Sequence, residues 1–196
     1  MLPFTTVESR AVPLLRDNID TDAIIPSREI KEVTKVGLAG GLFAGWRYLE
    51  IGGRVPNPAF VLNDPAFVGA KILLGGNNFG CGSSREHAVW ALGEFGFRAV
   101  IAPSFSPIFR SNCVSNGLLP VELDPTPFAW ENGVVKIDLP LQTVSVASQQ
   151  WTFDFDSNEK AMLVHGLDAI DATLRRSEEI ETFRAVDRRR RPWAYL

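Results

Sequence analysis

The chain has 196 residues, 45% of them hydrophobic and 22% charged, with a formal net charge of −3. That length supports one domain with its own core, burying roughly 70% of the surface the unfolded chain exposes. The mildly acidic balance argues against a nucleic-acid partner, no apolar run is long enough for a membrane span, and two cysteines, Cys81 and Cys113, make neither a disulfide framework nor a four-thiolate metal site.

The first residues, Met1 to Thr6, lack the basic and then apolar pattern of a signal peptide, so the expected compartment is the reducing cytoplasm. Alternation through Val7, Ala11, Val12, Leu14 and Leu15 predicts a first strand. It runs into a polar turn, Asp17-Asn18-Ile19-Asp20-Thr21-Asp22, and a short buried piece, Ile24-Ile25, stopped by Pro26. Residues 27 to 60 hold Gly37, Gly40, Gly41, Gly45, Gly52 and Gly53 with Pro56 and Pro58. Such density of turn formers predicts loops and short helices, a long excursion that is functional or mobile, with Phe43, Trp46 and Tyr48 as apolar mass to dock it.

Lys71 to Leu74 reads as a buried strand and Gly75 to Gly82 as a glycine-rich turn. Ser83 opens a predicted helix with Ala88, Ala91, Leu92 and Phe95 at helical spacing, ended by Gly93 and Gly96. Ala99 to Ala102 is the next strand, completing a βαβ outline. A second helix over residues 104 to 116 closes at Asn116-Gly117 and a strand follows at Leu118 to Val121. Residues 134 to 155 alternate in three segments, as an antiparallel meander does. Helical pattern begins near Glu159, pauses at His165-Gly166 and resumes through Ile170, Leu174, Ile180 and Phe183, giving a C-terminal helical extension over 156 to 196. The run Arg188 to Arg191 suits a solvated helix C-terminus. The whole reads as a single α/β domain, 1 to 196.

The stretch richest in chemistry is Gly80-Cys81-Gly82-Ser83-Ser84-Arg85-Glu86-His87. Gly80 and Gly82 permit backbone angles and approaches that a Cβ resists. A helix start offers unpaired N–H groups and positive potential, hence an anion site. Arg85 can hold a carboxylate by two parallel hydrogen bonds, so the expected ligand is a small carboxylate or a phosphate. The same residues also spell a capping box, Ser83 as N-cap and Glu86 three positions on. The spacing is neither a P-loop nor a dinucleotide fingerprint. Cys81 beside His87 is the pattern a thiol hydrolase would need.

Asn78 to Ala88 resembles the signature loop of the aconitase-superfamily swivel domain, in the form with Phe-Gly-Cys before Gly-Ser-Ser-Arg-Glu-His that is found in small subunits of isopropylmalate isomerases. Further segments agree in order: Asp17 to Pro26, Gly41 to Arg47, Ile101 to Phe105, Asn116 to Pro120 and Gly166 to Ile170. The resemblance spans nearly the whole chain. It implies a swivelling β/β/α fold with a mixed β-sheet or barrel core and surrounding helices. It implies a small subunit that isomerises 2-isopropylmalate and 3-isopropylmalate by dehydration and rehydration, in leucine biosynthesis, only when paired with a large subunit as a heterodimer or heterotetramer. The partner would carry a [4Fe-4S] cluster whose open iron acts on the leaving hydroxyl; this chain would bind none.

By the same resemblance Ser83 is the catalytic base, Ser84 and Arg85 bind a substrate carboxylate, and Thr21, Asp22, Gly82, Glu86 and His87 support them. The segment 27 to 60 becomes a mobile specificity loop with Arg28, Lys35, Leu42 and Phe43 toward the substrate's alkyl arm. Ser27-Arg28-Glu29-Ile30 and Lys35 depart from the family pattern. They leave citramalate, dimethylmaleate-type acids and homoaconitate as alternative substrates, and a carboxylate-binding module without chemistry as an alternative role.

Overall fold

The computed structural model describes residues 1–31, 34–129 and 133–195. In chain order the elements are β1 (Thr6–Ser9), β2 (Ala11–Pro13), α1 (Thr21–Ile24), α2 (Ala44–Arg47), β3 (Ile72–Leu74), α3 (His87–Phe95), β4 (Ala99–Ala102), α4 (Pro107–Asn116), β5 (Leu119–Glu122), α5 (Thr126–Ala129), β6 (Val135–Asp138), β7 (Thr143–Val146), β8 (Gln149–Thr152), α6 (Ser157–His165), α7 (Ala169–Leu174) and α8 (Ser177–Arg190). Strands β2-β3-β4-β5 form a wholly parallel sheet, and β1-β6-β7-β8 an antiparallel one. The mixed-sheet core expected from the sequence is thus two four-stranded sheets.

The single first strand expected from alternation is two strands. Arg10 separates them, and the chain changes sheet there: Val7 pairs with Ile137, whereas Val12 pairs with Leu73. The βαβ reading holds, with β3 and β4 parallel around α3. The meander holds as β6-β7-β8, although its last strand stops at Thr152.

Parallel strands covered on both faces read as continuous apolar runs. Accordingly, β3 and β4 are buried along their whole length. Ile72, Leu74, Ala99, Ile101, Leu119 and Val121 share a core with Val135, Ile137, Val144 and Val146 of the antiparallel sheet. Their neighbours Val12, Leu73, Val100 and Ala102 join a second core with α3, α4 and the Ile24-Ile25 turn. Each large aliphatic side chain so placed contributes about 1.5–3 kcal/mol. The parallel sheet is therefore held between two layers, and the loops leaving the C-terminal ends of β2 and β3 carry polar residues to one end of it.

The C-terminal helices differ in how they attach. Helix α6 is fastened to the chain's start: the Phe4 N–H donates to the Leu163 carbonyl (2.9 Å) and the Met1 ammonium to Gly166 (2.9 Å). Helix α8 buries only Asp187, which accepts from Arg191 and from the Tyr195 hydroxyl. Acidic residues occupy its first turn and Arg188, Arg189 and Arg190 its last, the arrangement the helix dipole favours. The Leu196 end of the expected extension lies outside the described residues.

Candidate active site

Two distant loops are zipped together in parallel. Asp17 accepts from the Asn77 N–H (2.7 Å), the Asn18 N–H donates to the Asn77 carbonyl (2.8 Å), the Gly80 N–H to Ile19 (2.7 Å) and the Thr21 N–H to Cys81 (2.9 Å). Below them Phe79 packs with Phe105 and Phe109. Gly80 is obligatory here: its φ is +76°, and a Cβ would fall inside the Phe109 ring. The polar turn read from residues 17 to 22 is in this way brought against the glycine-rich loop.

The meeting point is Ser83. Its side chain is exposed, yet its Oγ lies 3.0 Å from Thr21 Oγ1, and its N–H donates to the same oxygen at 3.2 Å. Thr21 is only 1% exposed. It belongs to α1, which Asp20 caps through the Ala23 N–H (2.6 Å). A hydroxyl fixed from the core side thus holds one that faces solvent. Gly82, at φ +95°, lets the chain pass over Asp20 and Thr21.

The helix start lies further on than the sequence indicated. Helix α3 begins at His87, with Glu86 as N-cap in helical geometry and no side-chain cap. The expected capping box is absent, because both its members are engaged elsewhere: Ser83 with Thr21, and Glu86 as acceptor from Asn116 Nδ2 (2.6 Å). Ser83 to Glu86 is a turn preceding the helix, so the helix N-terminus is not the immediate support of Ser83.

Arg85 was expected to hold a substrate carboxylate. Both of its terminal nitrogens instead meet Asp22, Nη1 on Oδ1 and Nη2 on Oδ2 (3.2 Å). The guanidinium beside it, with a lesser contribution from Ser27, holds the Asp22 carboxyl below its ordinary range. The Asp22 side chain is more than half exposed, so this is a surface ion pair, costing about 1 kcal/mol or less to open. Beside it lies a shallow groove of about 480 Å³ lined by Asp20, Asp22, Pro26, Ser27, Arg28 and Trp46.

The aconitase C-terminal domain family matches residues 1–126 of this chain. The 3-isopropylmalate dehydratase small subunit of Cupriavidus necator is 54% identical over 206 residues, covering 100% of this chain and 99% of that one. The corresponding small subunit of Teredinibacter turnerae is 44% identical over 210 residues, covering 100% and 98%. This chain belongs to the 3-isopropylmalate dehydratase small-subunit family. The crystal structure of a 3-isopropylmalate dehydratase from Methanocaldococcus jannaschii superposes with a TM-score of 0.69 at 26% identity, covering 91% of this chain and 99% of that one.

Within that family setting, the structure gathers Thr21, Asp22, Gly82, Ser83 and Arg85 at one corner, with Arg28 on the adjoining groove. Ser84 is exposed and its carbonyl accepts from Asn112 (3.4 Å). His87 packs against Trp90, and its Nε2 is buried without a protein partner. Lys35 is engaged by Asn116 Oδ1 (3.0 Å). Leu42 and Phe43, expected toward the substrate, are fully buried in the helix-side core, Phe43 stacked on Trp46 at 5.7 Å. They shape the groove from beneath and cannot touch a ligand. Glu32 and Val33 of the expected loop lie outside the described residues.

Sequence reasoning did not name Asn112 or Asn116 as site residues, although both brace the turn from α4; Asn116 was read as a helix end and as part of a family-like segment. Among the described residues no three His, Cys, Asp or Glu side chains converge as a metal site, and no helix is long and apolar enough to cross a membrane. Burial raises the Cys113 thiol well above its usual range, and Cys81 is partly buried; neither forms a disulfide. These thiols do not fit an iron–sulfur cluster.

Proposed function

We propose that this chain is the small subunit of a hydro-lyase that interconverts 2-isopropylmalate and 3-isopropylmalate in leucine biosynthesis, in the cytoplasm, with a large partner subunit that holds the [4Fe-4S] cluster. The observation that carries the reading is the Ser83 hydroxyl, exposed to solvent and fixed by a buried threonine beside an arginine. The names of the full-length relatives supply the reaction.

Ser83 acts as an alkoxide: its own proton leaves to solvent first, and the alkoxide then takes the proton from the carbon next to a substrate carboxylate and returns to the neutral hydroxyl. A serine is a poor base in water and needs its alkoxide stabilised by donors already in place. Thr21 Oγ1, 3.0 Å away, turns its hydrogen to that oxygen when the charge forms. Arg85 adds positive potential and receives a carboxylate of the diacid. Asp22 keeps the guanidinium in register until then, and the low cost of opening the pair lets a dicarboxylate displace it. Arg28, on the groove, meets the rest of the substrate. The partner would cover this exposed corner and exclude water from the carbanion-like transition state.

The test is reconstitution with a cluster-loaded large subunit, followed by ultraviolet absorption of the alkene. The chain alone should give no turnover and the pair should. Ser83→Ala should abolish turnover while the subunits still assemble; persistent turnover would remove Ser83 from the role of base.

A further inference from the structure

Asn116, the last residue of α4, uses every hydrogen-bonding position its side chain has. Nδ2 donates to Glu86 Oε1 (2.6 Å) and to the Asn112 carbonyl (2.9 Å). Oδ1 accepts from Trp90 Nε1 (3.0 Å) and from Lys35 Nζ (3.0 Å). Turning the amide over would set its oxygen against a carboxylate and a carbonyl, and its NH₂ against an ammonium and an indole N–H. Its orientation is therefore dictated by four partners. Gly117 in the left-handed region, φ +79°, ends the helix there and leaves Asn116 facing those groups.

The partners come from separate stretches. Glu86 directly follows Arg85 in the turn that presents Ser83. Trp90 lies one helical turn further on. Lys35 belongs to the long segment after Pro26 and also sits over the Trp90 ring at 5.1 Å. Two residues beyond Lys35, the Gly37, Leu38 and Ala39 N–H groups all donate to the Glu94 carboxylate of α3.

On the reading of Ser83 as base, we propose that Asn116 is a positioning residue for the reaction, locking the Ser83–Glu86 turn and the Lys35 segment at one fixed separation. The turn that presents the base and the Lys35 segment then keep their spacing whichever acid is bound. Only an amide does this. A carboxylate at 116 would still accept from Trp90 and Lys35, but it would face Glu86 with no hydrogen to donate. Converting Glu86 to the amide restores a donor across the same gap, with the roles exchanged.

The experiment compares wild type, Asn116→Asp, Glu86→Gln and the double variant, each reconstituted with the large subunit, for kcat, KM and melting temperature. Asn116→Asp should lose roughly ten- to a hundred-fold in kcat/KM, as a small misplacement of reacting groups does. Glu86→Gln alone should lose clearly less than Asn116→Asp, because a glutamine carbonyl still accepts from Asn116. The double variant should recover to within about three-fold of wild type, a coupling expected only of residues in contact. A purely structural role would lower the melting temperature and leave the kinetic constants of folded enzyme unchanged. An unimpaired Asn116→Asp enzyme, or a double variant no better than Asn116→Asp, would overturn the proposal. Ser83→Ala is measured in the same series. Turnover surviving in it refutes the base, while loss and rescue at 116 and 86 decide the positioning role separately.

Discussion

Replacing Thr21 by valine removes one hydroxyl hydrogen bond from Ser83 and leaves the side chain's shape nearly unchanged. Thr21 is 1% exposed and cannot touch a substrate, so its influence has to pass through Ser83. In the resting enzyme the contact joins two neutral hydroxyls and is worth about 1 kcal/mol. Once Ser83 carries charge, the same contact becomes charge-assisted and worth about 1.5–3 kcal/mol. The interaction is therefore stronger once Ser83 is the alkoxide, part of whose charge survives into the transition state, than with substrate bound to the neutral hydroxyl, and its loss should appear in kcat with KM unchanged. The difference between the two states, about 0.5–2 kcal/mol, translates to a fall of about 2- to 30-fold. The stability cost should be small, about 1 kcal/mol or a 2–4 °C shift in Tm, because the Ser83 N–H it also receives can turn to solvent. Steady-state kinetics of the reconstituted pair separates the two effects. Thr21→Ser is the control: it keeps the hydroxyl, and kcat should stay within a few-fold of wild type. A Thr21→Val enzyme with normal kcat, or a Thr21→Ser enzyme equally slow, would refute the argument.

Arg85→Lys should raise KM by about ten-fold or more, since a point ammonium cannot reproduce a paired contact to a carboxylate, and titration of KM against a monoacid analogue would show the preference for diacids shrinking. Gly80→Ala should cost roughly 2–4 kcal/mol in chemical denaturation, combining a strained positive φ with a collision against Phe109. The Glu94 carboxyl experiences burial that pushes it upward, but three backbone N–H donors outweigh this and hold it below its ordinary 4.5. Its stabilising contribution is thus complete above that value and is lost as pH falls through the lowered one. Glu94→Gln should be less stable than wild type at pH 7, and the two unfolding midpoints should converge as pH falls below the ordinary carboxylate range; a constant difference on acidification would deny Glu94 its tether.

Elements with a strong local pattern were legible. The runs Ile72 to Leu74 and Ala99 to Ala102, the helices ended by Gly96, Gly117 and Gly166, and the solvated arginine end of α8 all follow from periodicity and caps. What failed depended on partners distant in sequence. A period-two pattern cannot show that Arg10 changes sheets, because both halves alternate correctly. The capping box spelled by Ser83 and Glu86 lost to competing acceptors and donors more than 25 residues away, Thr21 for one and Asn116 for the other. Leu42 and Phe43 looked like loop residues because glycines surround them, yet their side chains belong to the core that also holds Ile24 of α1 and Ala88, Val89 and Leu92 of α3. The identity of the site residues was readable; which one touches which was not.

That distinction bears on how the corner works. A general base must be reachable by substrate and yet held to a few tenths of an ångström, demands that conflict in a surface loop. Here they are assigned to different residues. Ser83 is exposed, while rigidity comes from Thr21 beneath it, from the parallel pairing of residues 17–21 with 77–81, and from the Phe79 cluster under that pairing. The Arg85–Asp22 pair follows the opposite logic, exposed and inexpensive to open, so that it can give way to a ligand. A buried ion pair in its place would resist displacement by several kcal/mol and oppose binding. The fold thus puts stiffness where proton transfer needs it and keeps the anion grip exchangeable, and the same sequence could not do both if Thr21 and Asp22 traded places along α1.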